Sequence, residues 1–566
     1  MSARRILHTA AVMAGLVPSA LVALPGQASA QSSSTPSITW NTYLGGTAAD
    51  GGFSDDWPQG IITNRLGDTF VVGNTNAASF PKGLPSPLAT GGDDVFVTKY
   101  DADGRVVWTR VFGGPKNDVG LRLAFVPYSE SHLYIVGTTA SSSIGNVSRT
   151  VGALKGDSDA FLARLDLDGT VRWFMYLDGP GLDEGRDVNV YEKDGNRVVY
   201  VVGKRDDDVF VTQVDDTSAS DPAIAWSTTF GSPGVDVAYA VATNEFHRVF
   251  VGGSVSQSVS SGLPTPLNTF GGGTSDGFIA QLNPKGGTVN WFQYLGGNGP
   301  DDVRDLLNQP ESGGVTAVGN SLSTNFPPEF TRRGQEIFLV RVVTDNGGLQ
   351  EKKLLVGEGG EYMEGHASAD VVGNIYFGGS TTSPNLALNA FDPHLDPGTF
   401  QNDGFVAMVD PDLTGFVWAS YVGGPASLSE AVMGVSAVPR GQLTFMGHSN
   451  ASEAGVLVVD VGDDLQPNGG MEGFVFRLPV DPNAKPPDGG TTPGQDGGTT
   501  PGQDGGTTPG QDGGLPGPND AGVDPGQPDD EQRSPLGWGC GSAGGGASVG
   551  AVALMALALL LRRARS

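Results

Sequence analysis

Four short hydrophobic segments recur in the same order along residues 38–478, at a mean spacing of roughly 63 residues. The first begins with Trp and runs into glycine, and the second is a weaker strand behind an acidic residue. The third is a β-branched run that ends in glycine, and the fourth has the form acid-x-Phe-apolar. Each segment occurs seven times, as at residues 108–114, 238–243, 134–137 and 159–166.

These segments predict an all-β fold, because they are short, rich in Val, Tyr, Phe and Trp, and bounded by glycine-rich turns. A four-stranded antiparallel blade cannot bury both faces alone, so its copies must stack around an axis. The count predicts a seven-bladed β-propeller of four-stranded blades. Because the body starts with a Trp strand at Trp40 and ends with an acid-x-Phe strand, we expect the N-terminal strand to complete the last blade and close the ring.

The links between the third and fourth segments differ in length. In the third copy this link spans only residues 204–207, which predicts a tight hairpin. Other copies carry longer links, at residues 74–93, 138–158, 254–275 and 380–402. We therefore expect these loops to project from one rim and to determine ligand specificity.

The repeats resemble the SBBP family of bacterial β-propeller repeats. The resemblance rests on Gly73-Asn74-Thr75, on Phe80-Pro81 and on a Gly-Gly-x-Asp-x-Phe pattern at residues 91–96, with a second Phe-Pro at residues 326–327. It covers about 440 residues, but the third copy lacks the loop and one Trp strand, at residues 352–360, lacks its Trp. The resemblance implies the fold and a surface setting, and it implies no reaction.

The two ends of the chain predict export and tethering. Residues 1–30 have the form of a signal peptide that ends in an A-x-A site at Ala30, with a retained membrane anchor as the alternative. Residues 31–480 form the propeller, and residues 481–534 form a disordered linker rich in Gly, Pro and Asp. Residues 535–566 combine Cys540, an apolar transmembrane segment and terminal arginines, and they resemble the C-terminal sorting tail of myxobacterial surface proteins (MYXO-CTERM).

That second resemblance implies a sorting protease that cleaves near Cys540, and transient contact with the membrane through the C-terminal segment before processing. The alternative is a plain tail anchor. The implied location is the cell surface, on the outer-membrane exterior of a Gram-negative bacterium.

Charge and composition exclude several classes of protein. The chain has 33 basic and 62 acidic residues, a formal net charge of −29, so nucleic acid is excluded as a partner. One Cys in 566 residues excludes a disulfide scaffold and a CxxC zinc site. The 87 glycines and 38 prolines exclude a mostly helical protein.

One acid follows the Gly-Gly of each copy and is the candidate metal ligand. These acids are Asp50, Asp118, Asp183, Asp236, Asp301, Glu364 and Glu430. In a sevenfold ring they could face one channel mouth and attract Ca²⁺, the one cofactor we consider. The alternative is that each acid accepts hydrogen bonds from turn amides of its own blade.

We therefore expect a non-catalytic binding or adhesion module for a surface glycan or protein. The first alternative is a surface hydrolase or lyase, which would need His, Tyr, Arg or carboxylate groups clustered at the axis, where the sequence pattern indicates acids only. The second alternative is a structural spacer without a ligand.

Overall fold

The structure of the protein is a computed structural model. The described residues are 37–47, 54–80, 83, 91–177, 179, 181–193, 196–216, 221–259, 263–309, 314–326, 334–354, 360–395, 402–423, 430–438, 441–449 and 472–479. The predicted signal peptide, linker and sorting tail, with Ala30 and Cys540, lie outside these residues. Within the described ranges, no helix has the length and apolar character needed to cross a membrane.

The described chain consists of β-strands arranged in seven sheets. The strands are β1 (Trp40–Leu44), β2 (Asp56–Thr63), β3 (Thr69–Thr75), β4 (Asp94–Tyr100), β5 (Val106–Phe112), β6 (Asp118–Phe125), β7 (His132–Thr139), β8 (Thr150–Val151), β9 (Asp159–Asp166), β10 (Val171–Leu177), β11 (Asp183–Lys193), β12 (Asn196–Arg205), β13 (Asp208–Asp215), β14 (Ala223–Phe230), β15 (Val237–Thr243), β16 (Val249–Val255), β17 (Asp276–Leu282), β18 (Val289–Leu295), β19 (Asp301–Gln309), β20 (Gly314–Ser321), β21 (Glu336–Val343), β22 (Leu349–Leu354), β23 (Glu361–Tyr362), β24 (Ser368–Ala369), β25 (Ile375–Thr381), β26 (Asp403–Val409), β27 (Phe416–Val422), β28 (Glu430–Val438), β29 (Gln442–Ser449) and β30 (Glu472–Pro479).

Each sheet is one blade. Blades 1 to 6 are β2–β5, β6–β10, β11–β14, β15–β18, β19–β22 and β23–β27, and blade 7 is β28–β30 with β1. The innermost strands contact those of neighbouring blades, as β11 contacts β6 and β15. The prediction of an all-β, seven-bladed propeller with four-stranded antiparallel blades is confirmed.

Two blades depart from the four-strand pattern. In blade 2 the two-residue strand β8 adds a parallel edge to β10. In blade 6 the innermost strand is interrupted, so β23 and β24 each pair separately with β25. The short link of the third copy is a hairpin, because β12 and β13 are separated only by Asp206 and Asp207.

The N-terminal strand β1 lies in the last blade. It pairs antiparallel with β30, with a register that runs from Trp40 opposite Arg477 to Leu44 opposite Gly473. All five residues of β1 are buried. The two ends of the propeller sequence therefore meet in one sheet.

The hydrophobic core lies between the blades. One cluster combines Phe70 and Val97 of blade 1 with Phe125 and Ile135 of blade 2. Another combines Val475 of blade 7 with blade 1 residues. A blade buries its faces against its neighbours, which explains why the repeat is present in many copies.

In four blades the Trp of the outer strand packs against a turn of the following blade; these residues are Trp40, Trp108, Trp226 and Trp291. Asp101 accepts hydrogen bonds from Asp103 N and Arg105 N in such a turn, at 3.0 and 2.9 Å, and Gly104 has a φ of 82°. A Cβ on Gly104 would lie 2.4 Å from Trp40 Cδ2. The Asp-x-Asp-Gly sequence, which could also begin a calcium loop, here forms a tight turn that docks a Trp.

Candidate functional site

The predicted carboxylates share one structural position. Asp118, Asp183, Asp301 and Glu430 are the first residues of β6, β11, β19 and β28, and Asp236 directly precedes β15. All five therefore begin the innermost strands of their blades, where the chain arrives from the preceding blade.

In blades 1 and 6 a different residue holds this position. Asp56 pairs with Thr75 and Glu361 with Thr381, as Asp118 pairs with Thr139. The predicted Asp50 lies outside the described residues. Glu364 follows the end of β23 and does not occupy the equivalent position. The spacing from the Gly-Gly to the strand differs in these two blades: extra residues precede Asp56 in blade 1, whereas Glu361 directly follows Gly359-Gly360 in blade 6.

Four of these carboxylates connect the incoming chain to the end of the second strand of their own blade; they are Asp56, Asp118, Asp236 and Asp301. Asp118 accepts a hydrogen bond from Gly114 N at 2.7 Å and another from Ser141 Oγ at 2.9 Å, and Thr139 Oγ1 also donates to it. Asp301 accepts from Gly297 N at 2.8 Å in the same way. The carboxylate therefore holds the link between blades against the end of the second strand.

This arrangement corresponds to the turn-amide alternative. Burial raises the pKa of Asp118, although hydrogen bonds from Thr139, Gly114 and Ser141 oppose the rise. Across the described ranges, no three His, Cys, Asp or Glu side chains are grouped so that they could hold a metal ion. The metal-ligand alternative is untested, and a calcium titration decides between the two.

A second carboxylate lies beside the first between some blades. A Cβ on Gly113 would lie 2.1 Å from Asp94 Oδ1 and 2.9 Å from Asp118 Oδ2, so both carboxylates press against this glycine. Burial, followed by the charges of Asp118 and Asp93, raises the pKa of Asp94 to about 7. Asp276, next to Asp301, has a pKa raised to about 7, chiefly by burial.

The innermost strands also share a β-bulge at one position. The register with the second strand shifts in six blades, for example between Gly185 and Asp187. The extra residues are Gln59, Leu121, Arg186, Tyr239, Arg304 and Met433. In blade 6 the strand is interrupted at this level, at Glu364. Each blade places one of these seven residues at the same level of its innermost strand, so they encircle the axis, and we call them the bulge ring.

Charged and aromatic members of the bulge ring lie together in blades 3 to 6. Arg304 is 1% exposed and donates from Nε and Nη2 to the two oxygens of Asp302, at 2.9 and 2.8 Å. Its Nη2 also donates to Tyr362 Oη at 2.6 Å, and its guanidinium lies 4.6 Å from the centre of the Tyr239 ring. Arg304 is therefore shared between carboxylate and aromatic groups of three blades.

The cluster also includes charged residues of blade 3 and Glu364 of blade 6. Arg186 forms an ion pair with Glu184, and Lys204 Nζ lies 3.5 Å from the same carboxylate. Ser380 Oγ donates to Glu364 at 3.3 Å. Burial raises the pKa of Glu364, which favours its neutral form.

A deeper polar layer lies below the bulge ring. Arg122 is 1% exposed and donates from Nη1 to the carbonyl oxygens of Gln59 and Leu121. Among the described residues, its Nε and Nη2 have no hydrogen-bond partner. Asp187 accepts from Val241 N at 2.7 Å, and burial together with the charge of Asp305 raises its pKa. This layer joins the innermost strands of adjacent blades by hydrogen bonds.

The bulge ring lies toward the rim that carries the long loops, since it follows the first residues of the innermost strands. On this rim blade 3 has only its tight hairpin at Asp206 and Asp207. Arg186 and Glu184 lie in the same blade and retain 12% and 29% exposure of their side chains. The cluster therefore has contact with solvent beside the shortest connection.

The expectation of acids alone at the axis is wrong. Arg122, Arg186, Arg304, Tyr239 and Tyr362 lie there with the carboxylates. The available signal was a shared pattern at residues 118–123, 183–188 and 301–306, in which an acid is followed by Gly or Val two residues later and by an apolar residue five residues later. Aligning the weaker second segment on that spacing would have shown that the fourth residue varies from Leu to Arg.

The fold and this cluster define a seven-bladed β-propeller with a polar site at its axis. No protein-family model and no curated protein matches the chain. The chain is similar to a solved protein of unknown function from Dyadobacter fermentans DSM 18053, at 10% identity and a TM-score of 0.37, over 79% of this chain and 100% of that one. The Dos1 propeller matches at 10% identity and a TM-score of 0.36, over 79% and 96%.

A third similar structure is the β-propeller domain of the Trilobed protease from Pyrococcus furiosus. It matches at 8% identity and a TM-score of 0.35, over 69% of this chain and 91% of that chain. These three likenesses carry no argument about function, which must be sought in the residues of the site.

Proposed function

We propose that the protein is a binding module whose ligand contacts the bulge ring in blades 3 to 6. The observation that supports this is the uneven composition of the ring. Blades 2 and 7 place Leu121 and Met433 at the bulge, which is sufficient for packing. Blades 3 and 5 place Arg186 and Arg304 at the same position. Since apolar residues are sufficient for packing at this position in blades 2 and 7, the charged residues of blades 3 and 5 have a role besides building the ring.

The ligand has polar groups that reach both charges of the cluster. Arg186 and Lys204 offer donors, while Glu184 and Glu364 offer acceptors, so a glycan or a polar protein segment fits better than an apolar molecule. The long loops on the same rim would add contacts around the mouth.

Two substitutions test this proposal while leaving the fully buried Arg304 in place. Arg186→Gln and Tyr362→Phe should each weaken binding of the labelled protein to intact bacterial cells or a glycan array by about tenfold. Arg105→Gln is the control, because Arg105 is an exposed residue of a turn on the opposite rim. Unchanged binding by both cluster variants would contradict the proposal.

A hydrolase or lyase with its site at the axis is the second candidate. It is supported by Glu364, whose raised pKa suits a general acid, in the same cluster as the Tyr362 hydroxyl and Arg304. Glu364→Gln separates the two functions. A binding module keeps most of its affinity, whereas an enzyme loses turnover of a polysaccharide or peptide substrate while it retains binding.

We further propose that the protein is an SBBP-type propeller exported to the cell surface and tethered there by its linker and tail. The signal sequence, the acidic linker and the Cys540 segment support this proposal. Cell fractionation with antibody labelling of intact cells tests it, because a chain retained inside the cell would remain unlabelled.

We also propose that β1 closes the ring. Its pairing with β30 supports this, since it joins the first strand of the described chain to the last blade.

A further inference from the structure

A cleft opens on the rim opposite to the bulge ring, among the hairpins that join the first and second strands of blades 2, 3 and 4. Its volume is about 470 Å³, within the ~300–1,000 Å³ typical of small-molecule sites. Tyr128 and Ser129 of blade 2, Tyr191, Glu192 and Lys193 of blade 3, and Glu245 of blade 4 line it.

One of these hairpins departs from the repeat at a specific residue. In blade 1, Asn64 Oδ1 accepts from Leu66 N and Asp68 N, and Gly67 follows with a φ of 93°. In blade 4, Asn244 Oδ1 accepts from the equivalent amides in an identical turn. The residue equivalent to Gly67 is His247, with a φ of 58°.

Blade 6 uses the glycine again. Asp370 accepts from Val372 N and Asn374 N, and Gly373 has a φ of 90°. Positive φ is unfavourable for residues other than glycine by about 1–2 kcal/mol. A histidine at this position therefore implies a compensating role for its side chain.

The side chain of His247 supports an aromatic wall of the cleft. Its ring stacks on Tyr191, with centroids 3.7 Å apart and planes inclined by 6°. His247 Nε2 lies 2.8 Å from Tyr200 Oη, which fixes the orientation of the imidazole. Burial, aided by the charge of Lys193, lowers the pKa of His247, so the ring is neutral near pH 7.

The second aromatic wall is exposed. Tyr128 is 56% exposed and also has a positive φ, of 64°. The remaining lining combines Glu192 and Glu245 with Lys193, so both acceptors and donors surround the two rings. Arg197 Nε lies 3.6 Å from Glu192 and holds that carboxylate in place.

We propose that this cleft is a second binding site, specific for a neutral saccharide. Flat aromatic walls accept the C–H faces of a sugar ring, and carboxylate and ammonium groups bind its hydroxyls. The net charge of −29 opposes an anionic ligand. The site is separate from the bulge ring, because it lies on the other rim, at the end of β11 opposite to Arg186.

Calorimetric titration of the purified protein with tetrasaccharides of glucose, mannose and N-acetylglucosamine tests the proposal. We expect the protein to bind at least one of them, and Tyr128→Ala to weaken that binding by about tenfold. Tyr128→Ala should fold normally, because this side chain is exposed.

His247→Gly is the sharper variant. It restores the residue that blades 1 and 6 use at this turn, so thermal stability should change little, whereas affinity for the saccharide should fall about fivefold as Tyr191 loses its support. Leu66→Ala, in the corresponding hairpin of blade 1 and 72% exposed, is the matched control and should have no effect on affinity.

Tyr362→Phe distinguishes this site from the bulge ring and should leave saccharide binding unchanged. The proposal is overturned if none of the tetrasaccharides binds at millimolar concentration, or if Tyr128→Ala and His247→Gly bind as tightly as the unaltered protein. It is also overturned if Tyr362→Phe alone abolishes binding, a result that would place the saccharide at the axis.

Discussion

Trp40 is the residue that best tests the proposed closure of the propeller by β1. It is 1% exposed, its ring stacks against Tyr100 of blade 1 at 6.2 Å, and the guanidinium of Arg477 lies 5.0 Å from its ring centre. Its strand β1 is the outermost strand of blade 7 and pairs with β30 alone. We therefore predict that Trp40→Ala releases β1 from β30.

The size of the effect follows from burial. A buried Trp removes roughly 200 Å² from water, which at ~25 cal/mol per Å² corresponds to about 5 kcal/mol. Trp→Ala substitutions in cores cost about 3–5 kcal/mol. Ordering the five residues of β1 opposes pairing by about 5–10 kcal/mol, so a loss of this size is large enough to free the strand.

Hydrogen exchange and limited proteolysis of residues 37–47, together with denaturant unfolding, measure the result. The amides of β1 should lose protection in Trp40→Ala, and unfolding should require about 3–5 kcal/mol less free energy. Val107→Ala is the control, since Val107 lies on the outer strand of blade 1 and is 45% exposed. A loss below 1 kcal/mol, with β1 still protected, would refute closure by this strand.

Three further predictions concern other features. Gly104→Ala should destabilise by about 1–3 kcal/mol in denaturant unfolding, because the turn requires positive φ and the new methyl group meets Trp40; a neutral result would contradict the docking of this Trp. Burial and the charges of Asp118 and Asp93 raise the pKa of Asp94 from 3.8 to about 7 in the folded protein. The folded state therefore favours the neutral carboxyl, and the stability that this group contributes is complete below pH 4 and is lost as the pH rises through 7. Asp94→Asn should therefore raise the free energy of unfolding by about 1–2 kcal/mol at pH 8, after allowance for solvent screening, and change it little at pH 4. Equal increases at both pH values would contradict a raised pKa for Asp94. Calcium or EDTA should leave the melting temperature unchanged, because backbone and side-chain donors already bind Asp118. A rise of several degrees with calcium would instead support the predicted ring of metal ligands.

The number of blades could be predicted because the same four-strand pattern recurs in every copy. Each copy contains β-branched and aromatic strands between glycines, and a misread copy does not alter the count. The departures were hidden because they are local: β8 is two residues long, and the interruption between β23 and β24 falls within the weakest segment.

The candidate carboxylates were predicted in part. Asp118, Asp183, Asp236, Asp301 and Glu430 share one structural position, whereas Asp56 and Glu361 replace Asp50 and Glu364 there. The position of the acid was predicted by counting from the Gly-Gly. In blades 1 and 6 this gave the wrong residue, because the number of residues between the glycines and the strand differs there. The backbone pairing of Asp56 with Thr75 identifies the equivalent residue directly.

The sequence by itself determined the strand content, the seven copies and the tight hairpin of blade 3, because strand propensity, glycine punctuation and loop length are local properties. Only the tertiary structure decided that Arg186, Tyr239 and Arg304 surround the axis, and that His247 supports Tyr191 across two blades. A β-bulge changes the direction of a side chain through its pairing with another strand, and the neighbours of each blade depend on how the ring is assembled. Neither property is encoded within a single segment of the chain.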